Sequence, residues 1–113
     1  SLADLINNVE SYQHQLVRVT DTVSAGIPFC TKMFCSEINP CCNTCNSSLQ
    51  FTHEDTHVRL AGLSCSGNEC NYEQNCPYTP GSTVSVLGFV RAHTFEDVTN
   101  IRIDVTSSEL INN

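Results

Sequence analysis

The sequence predicts an all-β domain, a five-stranded barrel that follows a short helix and carries two cysteine-rich loops. Three observations support this fold class. Five segments show the alternation of apolar and polar residues that is typical of half-buried strands. The first residues of the chain instead place apolar residues at helical spacing. Eight cysteines fall into two clusters, which lie between the predicted strands.

The helix is predicted over residues 2–11, because apolar residues recur there every three or four positions. These residues are Leu2, Leu5, Ile6 and Val9. The first strand is predicted over residues 16–23, where the valines alternate with arginine and threonine. Each of the two elements is therefore expected to bury one face.

The second and third strands form a predicted hairpin around residues 54–55. Pairing Phe51 with Val58 and Leu49 with Leu60 places the apolar residues on one face. This register places Glu54 and Asp55 at the turn. Glu-Asp is a poor sequence for a two-residue turn, so a longer loop is the alternative.

Glycines mark the ends and bends of the remaining strands. Gly62 is predicted to end the third strand. The fourth strand, at residues 83–92, contains Gly88, which predicts a bulge or a sharp bend. The fifth strand, at residues 100–106, shows the clearest alternation in the chain. Five strands with a glycine-bent member favour a closed barrel over a flat sheet.

This order of elements resembles the OB-fold. The resemblance rests on a short helix followed by the segments ESYQHQLVRVTDTV, GSTVSVLGFVRAHT and NIRIDV. In particular, the chain is similar to small exported bacterial OB-fold domains of uncharacterised function, which open with a helix and a Tyr-x-x-x-x-Val-x-Val first strand. The resemblance covers about 70 of the 113 residues, counting predicted strands. It supports the topology of a single OB-like domain over residues 1–113 and leaves the ligand open. A cysteine-rich loop at residues 65–76 stands where that fold usually has a helix.

The cysteines predict a disulfide framework. Dense, even cysteine usage in a small domain is typical of proteins that fold in an oxidising compartment. The eight cysteines are Cys30, Cys35, Cys41, Cys42, Cys45, Cys65, Cys70 and Cys76. If all of them pair within the chain, five in one cluster and three in the other require an odd number of bridges between the clusters. The pairing itself stays open, although adjacent Cys41 and Cys42 are not expected to bond each other.

The same cysteine usage predicts an extracytoplasmic location, whether periplasmic, secreted or at the cell surface. The targeting segment is then expected to be absent from this chain, because Ser1 opens directly onto LADLINN. No apolar run approaches the length that a membrane span needs.

The charge balance disfavours two classes of partner. The chain has five basic and twelve acidic residues and a formal net charge of −7. Nucleic-acid binding needs clustered lysine and arginine to neutralise phosphates, and anionic membrane surfaces also attract basic segments. The expected partner is therefore a protein or a small-molecule ligand of unknown identity.

A metal-binding or thiol-redox protein is the alternative to a disulfide-bonded binding module. Cys42 and Cys45 form a CxxC, which could be half of a zinc site. The other cysteine spacings do not supply the second half. A thioredoxin-like use of the same pair would need a helix and a βαβ pattern, neither of which is predicted here.

The segment from His53 to His57 matches the HExxH pattern of metalloproteases. That motif requires both histidines on one face of a helix. Here the flanking residues alternate as strands, so a hairpin tip at the surface is the prediction. No Ser/His/Asp or paired-carboxylate arrangement is found either, and the sequence favours a non-enzymatic binding or interaction module.

The arginines on predicted strands are candidate ligand-binding residues. Outward-facing arginines could form an anion-binding face, for which the candidates are Arg18, Arg59 and Arg102; Arg91 also falls on a predicted strand. Solvated or paired charge is the commoner outcome for such residues. The acidic residues considered as pairing partners are Asp21, Asp104 and Glu109.

Overall fold

A computed structural model describes all 113 residues and confirms a β-rich protein with four disulfides and a short helical segment before the first strand. The helices are α1 (Leu2–Asn7) and α2 (Val9–Tyr12). The strands are β1 (Leu16–Ala25), β2 (Phe29–Cys30), β3 (Thr44–His53), β4 (Thr56–Asn68), β5 (Thr83–Phe95) and β6 (Val98–Asn112). A 3-10 turn at Tyr72–Gln74 lies between β4 and β5. The helices have six and four residues, and neither could cross a lipid bilayer.

The predicted single helix is divided into two at Asn8. This residue has φ −128° and ψ 37°, outside the helical range, and its side-chain amide donates to the Asp4 carboxylate at 2.9 Å. Asparagine favours such local bonds over helix continuation. Leu2 and Leu5 are buried and belong to the hydrophobic core. The helical segment therefore still covers part of the sheet, as its apolar stripe predicts.

The five long strands form a closed ring of pairings. Their order is β1-β5-β6-β4-β3, and β3 pairs again with β1 at Phe51 and Val23. Only the pairing of β4 with β6 is parallel. The two-residue strand β2, which the sequence did not predict, pairs with β3 alone. The ring encloses one apolar core.

The core is built from alternate residues of the long strands. Val58 and Leu60 on β4 and Ile101 and Ile103 on β6 are buried. The intervening residues of these strands point outward, because successive side chains of a strand project to opposite faces. The alternation that predicts the strands therefore also places their polar residues on the outer surface.

The β3–β4 hairpin confirms part of the predicted register. Phe51 pairs with Val58. The prediction that Leu49 pairs with Leu60 is wrong, because the register shifts between Ser48 and Gln50. The turn that the predicted register places at Glu54 and Asp55 is confirmed, and the alternative of a longer loop is wrong. The turn has two residues, and Glu54 adopts the positive φ of 54° that a tight hairpin turn requires.

The two glycines behave differently from each other. Gly62 does not end the third predicted strand, since β4 continues to Asn68. Its φ of 106° lets the chain bend at this point and remain in the sheet. At Gly88 the β5–β6 register shifts, which confirms the predicted bulge.

All eight cysteines are in disulfides. The bridges are Cys30–Cys45, Cys35–Cys42, Cys41–Cys70 and Cys65–Cys76. One bridge joins the two clusters, which is the odd number expected from the cysteine count. Cys41 and Cys42 bond to different partners, also as expected. Three of the bridges hold the long connection between β1 and β3.

Candidate binding groove

An open groove of about 950 Å³ lies on the outer surface of the ring. Strands β3, β4, β5 and β6 contribute outward-facing side chains to it. The turn before β1 and the segment after β1 also line it, through Gln13, His14, Ile27 and Phe29. The groove therefore combines the sheet surface with the beginning of the disulfide-bonded connection.

Three arginines lie side by side in the groove, on three adjacent strands. Arg102 of β6 is the direct cross-strand partner of Arg59 on β4 and of Arg91 on β5. We call these three residues the arginine row. Like charges directly opposite each other destabilise a sheet. An anion beside the row, from the protein or from a ligand, would relieve this repulsion.

Asp104 compensates two of the three arginines. Its Oδ1 accepts a hydrogen bond from Arg102 Nε at 2.8 Å, and its Oδ2 lies 3.3 Å from Arg91 Nε. Arg59 is exposed and has no carboxylate within 4.0 Å. One guanidinium group of the row is thus left without an anionic partner.

The lining of the groove contains no acidic residue. It includes three of the chain's five basic residues and three of its four histidines. The protein as a whole carries a formal charge of −7. The positive charge is therefore concentrated in one concave site, which favours an anionic ligand there over the rest of the surface.

The turn before β1 places His14 against the arginine row. The side-chain amide of Gln13 makes two 2.8 Å hydrogen bonds with the backbone of Ala92, which attaches the turn to β5. His14 has a φ of 66°, and its Nδ1 lies 2.8 Å from Arg91 Nη1. Because arginine only donates, His14 Nδ1 is the acceptor in this contact.

His57 lies at the other side of the groove. Its Nδ1 is 3.2 Å from Gln50 Nε2 and 2.8 Å from Thr52 Oγ1, both of which can donate to it. The HExxH segment is the β3–β4 hairpin, as predicted, so His53 and His57 are not on a helix. No group of three or more metal-ligating side chains is found in the structure.

Two exposed apolar residues form one wall of the groove. Ile27 and Phe29 are 96% and 85% exposed. The Cys30–Cys45 bridge holds the chain next to Phe29, and Phe29 pairs with Asn46 on β3. A ligand in the groove can therefore meet a fixed apolar surface as well as cations.

The structure brings together only part of the predicted ligand-binding set. Arg59 and Arg102 lie in the groove, whereas Arg18 lies outside it and donates to Ser85 Oγ at 3.3 Å. Arg91 was not among the predicted ligand-binding residues. The signal that could identify it is the β5–β6 register, which places it opposite Arg102.

The zinc alternative requires Cys42 and Cys45 to be free thiols, and the thiol-redox alternative requires them to be free or bonded to each other. In the structure these residues bond to Cys35 and Cys30, in two separate disulfides. No protein-family model matches the chain, and no curated protein shows significant similarity to it. The function of the groove is therefore inferred from its own side chains.

The Asp104 carboxyl provides a test of the arginine row. The hydrogen bond from Arg102 lowers the pKa of Asp104, and the positive charges of Arg102 and Arg91 lower it further. Since this pKa lies below the value of about 3.9 in an unfolded chain, the charged carboxylate stabilises the folded state above that pH. The contribution is lost as the pH falls through the lowered pKa.

We expect Arg102→Gln to raise the pKa of Asp104, measured by NMR titration of its side-chain carboxyl carbon. Arg18→Gln is the matched control, because Arg18 makes no ion pair with Asp104. An Asp104 titration that is unchanged in Arg102→Gln would contradict the assigned interaction.

Proposed function

We propose that this protein is an exported OB-fold domain that acts as a non-catalytic binding module, with the groove as its ligand site. Five strands that each pair with two neighbours in a closed order support the OB-fold assignment. OB-folds bind ligands on the face of their second and third strands and on adjoining loops. Here β3 and β4 are the second and third long strands, and both line the groove.

The main support for a binding site is the composition of the groove lining. Three arginines, three histidines and the side-chain amides of Gln13, Gln50, Asn46 and Asn100 converge on one concave surface without a carboxylate among them. Polar groups that converge beside an apolar wall are characteristic of ligand sites.

A binding role is favoured over catalysis by what the lining lacks. Its only hydroxyl side chain is that of Ser48, which makes no hydrogen bond with a histidine. Because no histidine is hydrogen bonded to Ser48, this hydroxyl is not activated as a nucleophile for covalent catalysis. The four disulfides support an oxidising compartment, and thus export.

We would test the binding function by recording ¹H–¹⁵N NMR spectra with a panel of probes. The panel contains phenyl phosphate, phenyl sulfate, benzoate, maltohexaose as a neutral oligosaccharide, and a short oligothymidylate. At least one probe is expected to shift the backbone amides of residues 57–59, 91–93 and 100–102 in a saturable way. The proposed function is wrong if no probe affects these strands, or if every response lies elsewhere on the protein.

A further inference from the structure

The charge of the arginine row indicates the class of ligand, if the groove is the ligand site proposed above. Three guanidinium groups carry three positive charges, and Asp104 carries one negative charge, which leaves two positive charges. We propose that the row binds the dianionic phosphate group of a small organic phosphate monoester, whose apolar part lies against Ile27 and Phe29. A phosphate monoester carries about −1.5 to −2 charges at neutral pH, so it neutralises the row.

The row also has enough free donors for a phosphate group. Arg59 makes no hydrogen bond or ion pair within the protein, so its whole guanidinium fork is available. Arg102 contacts Asp104 through Nε, which leaves both terminal nitrogens. Arg91 uses Nε and Nη1 and keeps Nη2. A phosphate monoester presents three terminal oxygens, and arginine forks bind such groups with bidentate, charge-assisted hydrogen bonds.

Asp104 contributes to selectivity by positioning two of the arginines. Because one carboxylate contacts both Arg91 and Arg102, these side chains are already ordered before a ligand arrives. Preorganised side chains lose less conformational entropy on binding. Asp104 also lowers the net charge of the row from three to two positive charges. A dianion neutralises this charge, whereas a monoanion such as a sulfate ester or a carboxylate leaves one positive charge uncompensated.

The apolar wall favours a ligand that carries an apolar organic group as well as the phosphate. Ile27 and Phe29 are almost fully exposed and line the same groove as the arginine row. Burying apolar surface against these side chains would add to affinity in proportion to the area covered. Inorganic phosphate alone would leave this wall in contact with water.

A small ligand fits this protein better than a long polyanion. The row is three residues wide, and the chain outside the groove supplies only Arg18 and Lys32 as further cations, against twelve acidic residues. A nucleic acid that extended beyond the row would meet a negatively charged surface. Its phosphodiesters also carry one charge each, so they do not match two positive charges at one point.

The test is isothermal titration calorimetry at pH 7.5 and low ionic strength, with phenyl phosphate, phenyl sulfate and methyl phosphate as probes. Phenyl sulfate has nearly the same shape as phenyl phosphate but one charge fewer, and methyl phosphate lacks the ring. We expect phenyl phosphate to bind most tightly. Phenyl sulfate is expected to bind about 10-fold more weakly or worse, because its single negative charge leaves one positive charge of the row uncompensated. Methyl phosphate is expected to bind more weakly because it cannot cover Phe29.

Matched variants locate the binding site. Arg59→Ala is expected to weaken phenyl phosphate binding by about 10- to 100-fold, the usual effect of removing a charged hydrogen-bond donor. Arg18→Ala is the control, since Arg18 is also an exposed strand arginine without a carboxylate partner but lies outside the groove. It is expected to change the affinity by less than about twofold, because a distant exposed charge is screened by solvent and salt. Both variants alter exposed side chains, and unchanged amide spectra away from the groove would show that they fold.

Two results would overturn the ligand assignment. One is equal binding of phenyl phosphate and phenyl sulfate, and the other is an equal loss of affinity in Arg59→Ala and Arg18→Ala. If maltohexaose shifts the groove amides but phenyl phosphate does not, the binding function stands and the phosphate inference fails. Binding to vesicles that contain phosphatidate, without binding to phenyl phosphate, would replace the small-molecule source with a lipid headgroup.

Discussion

Removing the Cys41–Cys70 bridge, by Cys41→Ala together with Cys70→Ala, is expected to lower the free energy of unfolding by about 3 to 4 kcal/mol. This bridge spans 29 residues, the longest separation of the four, and it alone joins the two cysteine clusters. Residues 31–42 contain no buried side chain. Since apolar burial cannot order this segment, the disulfides must restrict it.

The double substitution of Cys35 and Cys42 by alanine is the matched control. Its bridge lies in the same segment but spans only seven residues, for which loop closure accounts for about 2 kcal/mol. Both double variants would be compared with the wild-type protein by urea denaturation. Intact mass with and without reductant would verify that the other bridges remain. The expected role of the longer bridge would be contradicted if the free energy of unfolding fell no further in the Cys41/Cys70 variant than in the control.

The sequence predicted the existence of β1, β5 and β6 because their apolar residues alternate, but it ended β6 at residue 106, whereas the strand continues to Asn112. It also predicted β3 and β4 too short, and the parts of these two strands that it missed are residues 44–48 and 62–68. They consist mainly of serine, asparagine, glycine and cysteine, which do not produce an apolar alternation. These segments pair with each other, as Ser47 does with Cys65, and Cys65 is fully buried as part of the core. The partner strand and the disulfides stabilise these parts of β3 and β4, which the local sequence pattern does not predict.

The connection between β1 and β3 is also ordered by contacts that no periodicity reveals. Asn43 is buried, and its side chain accepts from the Met33 amide at 2.6 Å and from Thr31 Oγ1 at 2.9 Å. Its amide also donates to the Met33 carbonyl. An asparagine in a cysteine-rich loop gives no indication of this role, because the partners lie ten or more residues away.

The candidate groove could be predicted in part. Arg59 and Arg102 were identified as outward-facing strand residues, but grouping them with Arg91 requires the strand register. His14 lies in a turn with positive φ, and Ile27 follows a glycine that breaks β1. Neither position belongs to a periodic pattern. The alternation of residues within one strand shows which face of the sheet a residue occupies. Which residues come together in a site depends on the order of the strands in the sheet.

Gly88→Ala is expected to destabilise the protein by about 3 kcal/mol, at the upper end of the cost of overpacking a core. A Cβ at this position would lie against the backbone carbonyl oxygen of Asp104 and 2.5 Å from Cγ2 of Ile103. Ile103 is fully buried, and Asp104 is paired with Phe89 on β5, next to the bulge. Neither neighbour can retreat without disturbing the β5–β6 pairing.

Gly81→Ala is the control for this substitution. Gly81 has a φ of 98°, which strains an alanine by about 1 to 2 kcal/mol, but nothing lies within 4 Å of its added Cβ. Urea denaturation of both variants with the disulfides intact separates steric overlap from backbone strain. If Gly88→Ala lowers the free energy of unfolding by no more than Gly81→Ala does, the inference that β5 packs closely against β6 at the bulge is wrong.

The effect of Gly88→Ala should extend to the groove. The Asp104 carbonyl that meets the new Cβ belongs to the residue whose carboxylate contacts Arg91 and Arg102. Displacing β6 at this point shifts the carboxylate and thereby the two guanidinium groups. We therefore expect weaker phenyl phosphate binding at temperatures where the variant is still folded, whereas Gly81→Ala should bind as the wild type does. A destabilised Gly88→Ala protein with wild-type affinity would show that the arginine row does not depend on the position of Asp104.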